Sequence, residues 1–268
     1  MKRFILALAA ALISGSAQAQ EAASAAPKLP PGLESAQLRP GWITPEGHRI
    51  VALDLRLLPG WKTYWRNPGD GGVPPVFDWQ GSDNLGKVTL HWPRPEVIDS
   101  GGLRTLGFHD QLVLPIEIAP ADPTKPIRVE AQVDLGICET ICVPAHVDLT
   151  AAAPGDKDPI IQAALASVPD AAKEPAICKV TETKDGMRVA ATVPLDARDD
   201  MAAAAMELAD TPVWVSEPEV EVQDGKLTAT ADFIDDSGKP FALDPAQLRL
   251  TLISGEAAVE FSGCQTAG

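Results

Sequence analysis

The sequence predicts a mostly β protein, built as two antiparallel β-sandwiches joined by a short helical connector. Three observations carry this expectation. Residues 127–135 alternate strictly: Ile127, Val129, Ala131, Val133 and Leu135 are apolar, while Arg128, Glu130, Gln132 and Asp134 are polar. That is the period of a strand with one buried face. Further short apolar runs are punctuated by Gly, Pro and Asp, in a chain with 21 Gly and 25 Pro, a pattern typical of sandwiches. At 268 residues the chain also exceeds the usual single domain, so two modest cores are expected.

The first elements are not fold. Lys2 and Arg3 precede an apolar stretch over 4–13 that is too short to span a bilayer, and Ala17-Gln18-Ala19 is a small-x-small cleavage pattern. Residues 1–19 therefore read as a cleaved signal peptide. No later run of about 18 apolar residues follows, so the mature chain is expected to be soluble and periplasmic, without membrane insertion. Residues 20–36 are rich in Ala and Pro and read as a flexible arm.

Residues 37–151 read as the first sandwich, with strands expected at 48–57, 88–92, 112–118, 127–135 and 146–150. In 48–57, Val51, Leu53, Leu55 and Leu57 alternate with Ala52, Asp54 and Arg56, as in a half-buried strand. Residues 152–176 read as a linker with a short helix. Asp158 supplies an N-cap and Pro159 a first-turn residue whose missing N–H costs nothing. Ile160, Ile161, Ala164, Leu165 and Val168 then share a face before Pro169 stops the helix. Residues 177–268 read as the second sandwich, with strands expected at 187–193, 212–216, 226–233, 248–253 and 257–261. The Ala-rich stretch 199–208 is expected to be a short helix.

Composition excludes several classes. The formal charge of −15 repels phosphate, and no Lys/Arg run exists to displace counterions, so a nucleic-acid binder is excluded. The mix also excludes collagen-like, coiled-coil and wholly disordered chains. An acidic surface favours partners that are neutral or basic where they dock.

The chemistry lies with four cysteines, Cys138, Cys142, Cys178 and Cys264. Four cysteines allow three pairings, and the sequence alone does not choose among them. Spacing favours Cys138 with Cys142 and Cys178 with Cys264. The first pair sits in GICETICVP at 136–144. Closing so short a loop gains little loop entropy, which serves stability poorly. A small accessible bridge is well suited to thiol–disulfide exchange. A local staple in a hairpin is the other reading. The second pair brackets the second block and reads as a structural disulfide, worth up to about 4–5 kcal/mol in the chain-entropy treatment.

Cys138, Cys142 and His146 recur every four residues, which on a helix would form a copper or zinc constellation. Pro144 disfavours that helix. The motif itself contains no Lys or Arg to activate a thiolate, leaving His146 as the candidate base. His109-Asp110 reads as a turn pair. The segment 61–72 joins Trp61, Tyr64 and Trp65 to a Gly/Pro turn. It reads as an aromatic plug for the sandwich end, with a sugar-binding platform as the alternative.

An ordered set of motifs resembles a known family. GWKTYWRNPGDGG at 60–72 is followed by PPVFDW at 74–79, HWPRP at 91–95, GFHDQLVLP at 107–115 and the cysteine segment. Over residues 36–150 this resembles the N-terminal periplasmic domain of the thiol:disulfide interchange protein DsbD and its ScsB relatives, connected with cytochrome c biogenesis and copper tolerance. The resemblance implies an immunoglobulin-like sandwich with no cofactor. It implies a redox pair in which Cys142 forms the mixed disulfide and Cys138 resolves it. Partners would be a membrane-embedded electron donor and thioredoxin-like periplasmic proteins. A cap loop over residues 99–106 would cover the pair, led by Asp99, Ser100, Gly101, Gly102 and Leu103. The family's best-known members have more residues between the cysteines and aromatics in the cap, so the cap is expected to protect less here. The 268 residues hold neither a membrane module nor a thioredoxin-like one, which implies a borrowed electron source or an adaptor role.

Overall fold

The computed structural model describes residues 29–100, 102–194, 201–255 and 257–266. The expected signal peptide and residues 20–28 of the expected arm lie outside them, as do Asp199 and Asp200 of the expected Ala-rich helix. Residues 33–36, read as the end of the arm, instead open the first strand, because Leu33 and Leu38 are buried in the core.

The first ten strands run in chain order. They are β1 (Leu33–Ile43), β2 (Arg49–Leu57), β3 (Lys62–Tyr64), β4 (Val76–Asp78) and β5 (Leu85–Leu90). Then come β6 (Glu96–Ser100), β7 (Leu103–His109), β8 (Gln111–Pro120), β9 (Glu130–Cys138) and β10 (Cys142–Thr150). A 4-stranded sheet has the order β1-β2-β8-β5, and a 6-stranded sheet the order β10-β9-β3-β7-β6 with β4 also paired to β9. Their inner faces meet in one core that includes Val51, Leu53, Leu114, Ile116, Val129, Val133 and Trp65. The alternation read in 127–135 holds: Val129, Ala131, Val133 and Leu135 point into this core.

Strand β2 departs from its expected half-burial. Ala52 and Asp54 are as buried as Leu53 and Leu55. Its second face is covered by α1 (Pro159–Leu165), whose Ile161 packs with Trp42, Ile50 and Ala52. Asp158 caps α1 as expected, accepting from the Ile160 amide. Arg39 ties this cap to the sheet, donating from Nε to Asp158 at 2.7 Å and from Nη1 to the buried Asp54 at 2.9 Å. Gln37 and Gln111 complete the shell around Asp54. A carboxylate buried this deeply is tolerable only because each oxygen is paired.

The remaining strands are β11 (Asp170–Ala171), β12 (Ala176–Glu182), β13 (Met187–Pro194), β14 (Met201–Leu208) and β15 (Trp214–Val215). They are followed by β16 (Glu219–Gln223), β17 (Lys226–Ile234), β18 (Leu248–Ser254), β19 (Ala258–Ser262) and β20 (Cys264–Thr266). They form a 4-stranded sheet, β11-β19-β18-β14, and a 6-stranded sheet, β15-β17-β13-β12-β20 with β16 beside β17. Two short pairings are parallel, β11 with β19 and β12 with β20. The architecture is thus mostly β and immunoglobulin-like, with one short α-helix among the described residues.

Residues 201–208 form a strand where the Ala content predicts a helix. β14 pairs antiparallel with β18 along its length. Ala203 and Ala205 join the core of the first block, together with Ile253 and Ala258. Met206 and Leu208 fill the core of the second. Tertiary packing on both sides outweighs an intrinsic preference of a few tenths of a kcal/mol per residue, roughly.

Candidate thiol–disulfide site

Strands β9 and β10 form a hairpin whose last pair is Cys138 opposite Cys142. Residues 139–141 make the turn. The two cysteines are bonded, with their Cα atoms 4.1 Å apart. Cys138 is 2% exposed, whereas Cys142 lies at the surface beside Ile141, which is 75% exposed. One sulfur is therefore open to a visiting molecule and the other is shielded.

Side-chain parity places this pair. Along β9, Val133, Leu135 and Ile137 point into the sandwich core, so Gly136 and Cys138 face the other way. The disulfide thus sits on the outer face of its sheet. Strand β3 runs beside it, with Lys62 opposite Cys138 and Thr63 opposite Ile137. Lys62 and Tyr64 consequently share the outer face with both cysteines.

Tyr64 covers the pair. Its Oη is 2.8 Å from Cys138 Sγ and 3.2 Å from Cys142 Sγ. Neither disulfide sulfur carries a hydrogen, so the phenol donates. Tyr64 is 1% exposed, and burial pushes its pKa above the usual phenol value. It therefore stays a neutral donor at physiological pH.

Room for the ring comes from Gly136. A Cβ there would lie 2.9 Å from Val73 and 3.3 Å from the Tyr64 ring. Strand β3 ends at Tyr64, the chain loops outward over residues 66–75, and β4 returns beside β9. This loop is the lid over the ring: Gly72 packs on the Tyr64 ring and on Pro68. The Pro68 carbonyl accepts from the Leu106 amide at 3.0 Å.

The expected cap is not a loop. Residues 96–109 form the β6–β7 hairpin, with Asp99 opposite Arg104 and Ser100 opposite Leu103. Gly102 has a φ of 89°, as its turn requires; Gly101 lies outside the described residues. The hairpin stands behind the loop, since Gly71 packs against Leu103 and Thr105.

The metal trio is not assembled. Cys142 and His146 lie on a strand, four residues and about 13 Å apart, instead of one helical turn. His146 is held by Asp134 at 2.7 Å and Asp148 at 3.4 Å. The hydrogen bond to Asp134 holds its pKa above the ordinary histidine value. Its distance along the strand, rather than its basicity, puts it out of reach as a base for Cys142. Among the described residues no group of three or more His, Cys, Asp or Glu is placed to hold a metal.

His109 bonds Glu96 at 2.7 Å. Trp65 is buried in the core with Arg66 stacked 4.2 Å above its ring, and Trp61 packs at the core's edge. This favours the plug reading of 61–72 over a sugar platform.

Sequence reasoning missed Lys62 and Tyr64. Both lie on another strand: Lys62 is in register with Cys138, and Tyr64, whose hydroxyl touches both sulfurs, precedes Cys138 by 74 positions. One signal was available: Tyr64 is the only tyrosine in the chain. Cys178 and Cys264 are bonded to each other, with Cα atoms 5.7 Å apart, joining the ends of the second block where β12 meets β20.

The crystal structure of the N-terminal periplasmic domain of ScsB from Proteus mirabilis matches with a TM-score of 0.59 at 22% identity, over 87% of this chain and 92% of that one. It shares the fold. A chimeric titin Z1Z2 matches at 9% identity with a TM-score of 0.19, over 90% of this chain and 96% of that one, too low a score to carry any argument. No curated protein matches the chain. The family model described as the thiol:disulfide interchange protein DsbD, N-terminal, matches residues 14–154. More than half of the chain is covered, and it belongs to this DsbD N-terminal family.

Proposed function

We propose that the protein is a periplasmic thiol–disulfide exchange protein that relays electrons through Cys138 and Cys142. The carrying observation is the asymmetry of the pair: an exposed Cys142 bonded to a buried Cys138, with the Tyr64 hydroxyl on both sulfurs. In the reduced protein, the Cys142 thiolate attacks a partner disulfide. One Cys142–partner S–S bond forms, the partner's S–S bond breaks, and the departing partner sulfur takes up a proton. The Cys138 thiolate then attacks Cys142 Sγ, re-forming the internal disulfide and releasing the partner's second thiol. Two electrons pass to the partner, and the pair ends oxidised.

Tyr64 serves both halves of this cycle. A neutral phenol donating to a thiolate stabilises the charged form, and Lys62 opposite Cys138 adds a cation on the same face. No cofactor is needed. Exposed Ile141, Val73 and Val76 near the pair supply apolar contact for a protein partner. In this reading the partners are thioredoxin-like periplasmic proteins and a membrane-embedded electron donor. The hairpin carrying Asp99, Ser100 and Leu103 backs the lid.

The test is a covalent trap. A Cys138→Ser protein should accumulate a mixed disulfide with a thioredoxin-like protein through Cys142, and Cys142→Ser should not. Absence of any trapped complex, together with a wild-type pair that stays oxidised against a reduced thioredoxin-like protein, would overturn the relay.

A further inference from the structure

The lid over Tyr64 belongs to the first block, yet three of its polar residues, Arg66, Asn67 and Asp70, tie it to the second. Arg66 donates from Nε to Glu207 at 2.7 Å and pairs through Nη2 with Glu260. Arg249 lies within 4.0 Å of both carboxylates, and Thr251 donates to Glu260. The Asn67 amide donates to the Met206 carbonyl at 2.7 Å. At the outer end of the loop, Trp214 Nε1 donates to Asp70 at 3.1 Å. Behind the loop, Arg104 of the β6–β7 hairpin lies 3.6 Å from Glu217. The small side chains of Ala203 and Ala205 let the two blocks approach closely beneath these ties.

These anchors are more than surface decoration. Glu207 and Glu260 are only 17% and 21% exposed, and Arg66 is 16% exposed and sandwiched on Trp65. Isolated surface pairs contribute little, but a half-buried network around one guanidinium fixes geometry. The geometry it fixes is the path of residues 66–72, and Gly72 rests on the Tyr64 ring.

We propose that the second block works as a clamp on the redox site. Through Glu207, Glu260, Met206 and Trp214 it holds the lid closed over Tyr64, and so keeps the phenol on the Cys138–Cys142 pair. Glu207, Glu260 and Trp214 are positioning residues: they act on the sulfurs only through the lid and Tyr64. The inference rests on Cys138 and Cys142 being the working pair. It gives the second block a role in the chemistry beyond that of a spacer.

The experiment uses the full chain with Glu207→Gln, Glu260→Gln and Trp214→Phe combined, which loosens the clamp without altering the lid or Tyr64. Three quantities are measured: opening of the Cys138–Cys142 bond by dithiothreitol, the pH profile of Cys142 alkylation in the reduced protein, and amide exchange over 67–73. Released from its clamp, the lid should exchange faster, and the bond should open about fivefold more slowly, because the departing Cys138 thiolate loses its phenol donor while Cys142 is exposed with or without the lid. The alkylation midpoint should move to higher pH as the phenol leaves the thiolate.

Arg188→Ala, which breaks an exposed pair with Asp232 away from the lid, should change none of these. If the triple variant does not fold, Trp214→Phe alone carries the test, since Trp214 is 50% exposed and loses one hydrogen bond. Wild-type opening rate and wild-type alkylation profile in a folded variant would overturn the clamp, whether or not exchange rises. Dithiothreitol needs no protein partner, so failure here is distinguishable from failure of the trap that tests the relay.

Discussion

The Tyr64 hydroxyl lies 2.8 Å from the Sγ of Cys138, a residue 74 positions further along the chain. The same oxygen reaches Cys142 Sγ at 3.2 Å. One phenol therefore links the buried and the exposed halves of the bridge, and its removal is the most direct probe of the site.

Tyr64→Phe keeps the ring that packs on Gly72 and Gly136 and removes only the donor. The fold should survive with a loss of about 1 kcal/mol, the usual net value of one hydrogen bond. The Cys142 thiol of the reduced protein should become about tenfold less reactive at neutral pH, because a hydrogen bond to a charged acceptor is worth roughly 1.5–3 kcal/mol. Alkylation rate against pH measures this, and an unchanged profile would separate Tyr64 from the chemistry.

The chain's single tyrosine makes a second check unusually clean. Phenolate absorbance reports Tyr64 alone. Burial raises its pKa, so the folded protein should titrate above about 10 and the urea-unfolded protein near 10. The linked sign is definite. The folded state holds the phenolic proton more tightly, so this term is constant below the unfolded pKa. Stability then falls as pH rises past about 10 toward the folded value. A normal phenol titration in the native protein would contradict the buried placement.

The two disulfides should differ in accessibility and in what they support. Each disulfide has one buried sulfur, in Cys138 and Cys178, but mild reductant should open Cys138–Cys142 first, because Cys142 is exposed while Cys264 is only partly so. Replacing Cys178 and Cys264 by Ala should cost about 2–4 kcal/mol in unfolding free energy and leave the reactivity of Cys142 unchanged. Peptide mapping after graded reduction decides the order, and denaturant melts decide the cost.

Acid should weaken the anchorage of α1. Burial alone would push the Asp158 carboxyl up, but hydrogen bonds from Arg39 and from the Ile160 amide hold it below the usual aspartate value. A depressed folded pKa adds stability above the unfolded value, near 3.9, and loses it as pH falls through the folded one. Asp158→Ala should therefore be less stable by about 1 kcal/mol at pH 7. Its difference from wild type should shrink below about pH 4. A difference independent of pH in melts from pH 7 to pH 2 would assign the effect to packing alone.

Strand identity was legible wherever one face is buried and the other wet. Residues 127–135 show it best, because alternation maps directly onto a two-residue period. The same reasoning failed for Ala52 and Asp54, whose face is covered by a helix some 110 positions later, and for the Ala-rich β14, whose conformation is decided by neighbours on both sides. The expected cap loop became a hairpin because Asp99 and Ser100 find strand partners in Arg104 and Leu103.

By itself the sequence determined the mostly β class, the capped connector helix and the cysteine spacing that permits a hairpin-end bridge, since each depends on residues close together in the chain. Tertiary structure alone decided that this bridge lies on the outer sheet face, beneath Tyr64 and opposite Lys62, under a loop tied to the second block. Those relations join segments tens to hundreds of residues apart. They are set by strand register and close packing, which no local pattern encodes.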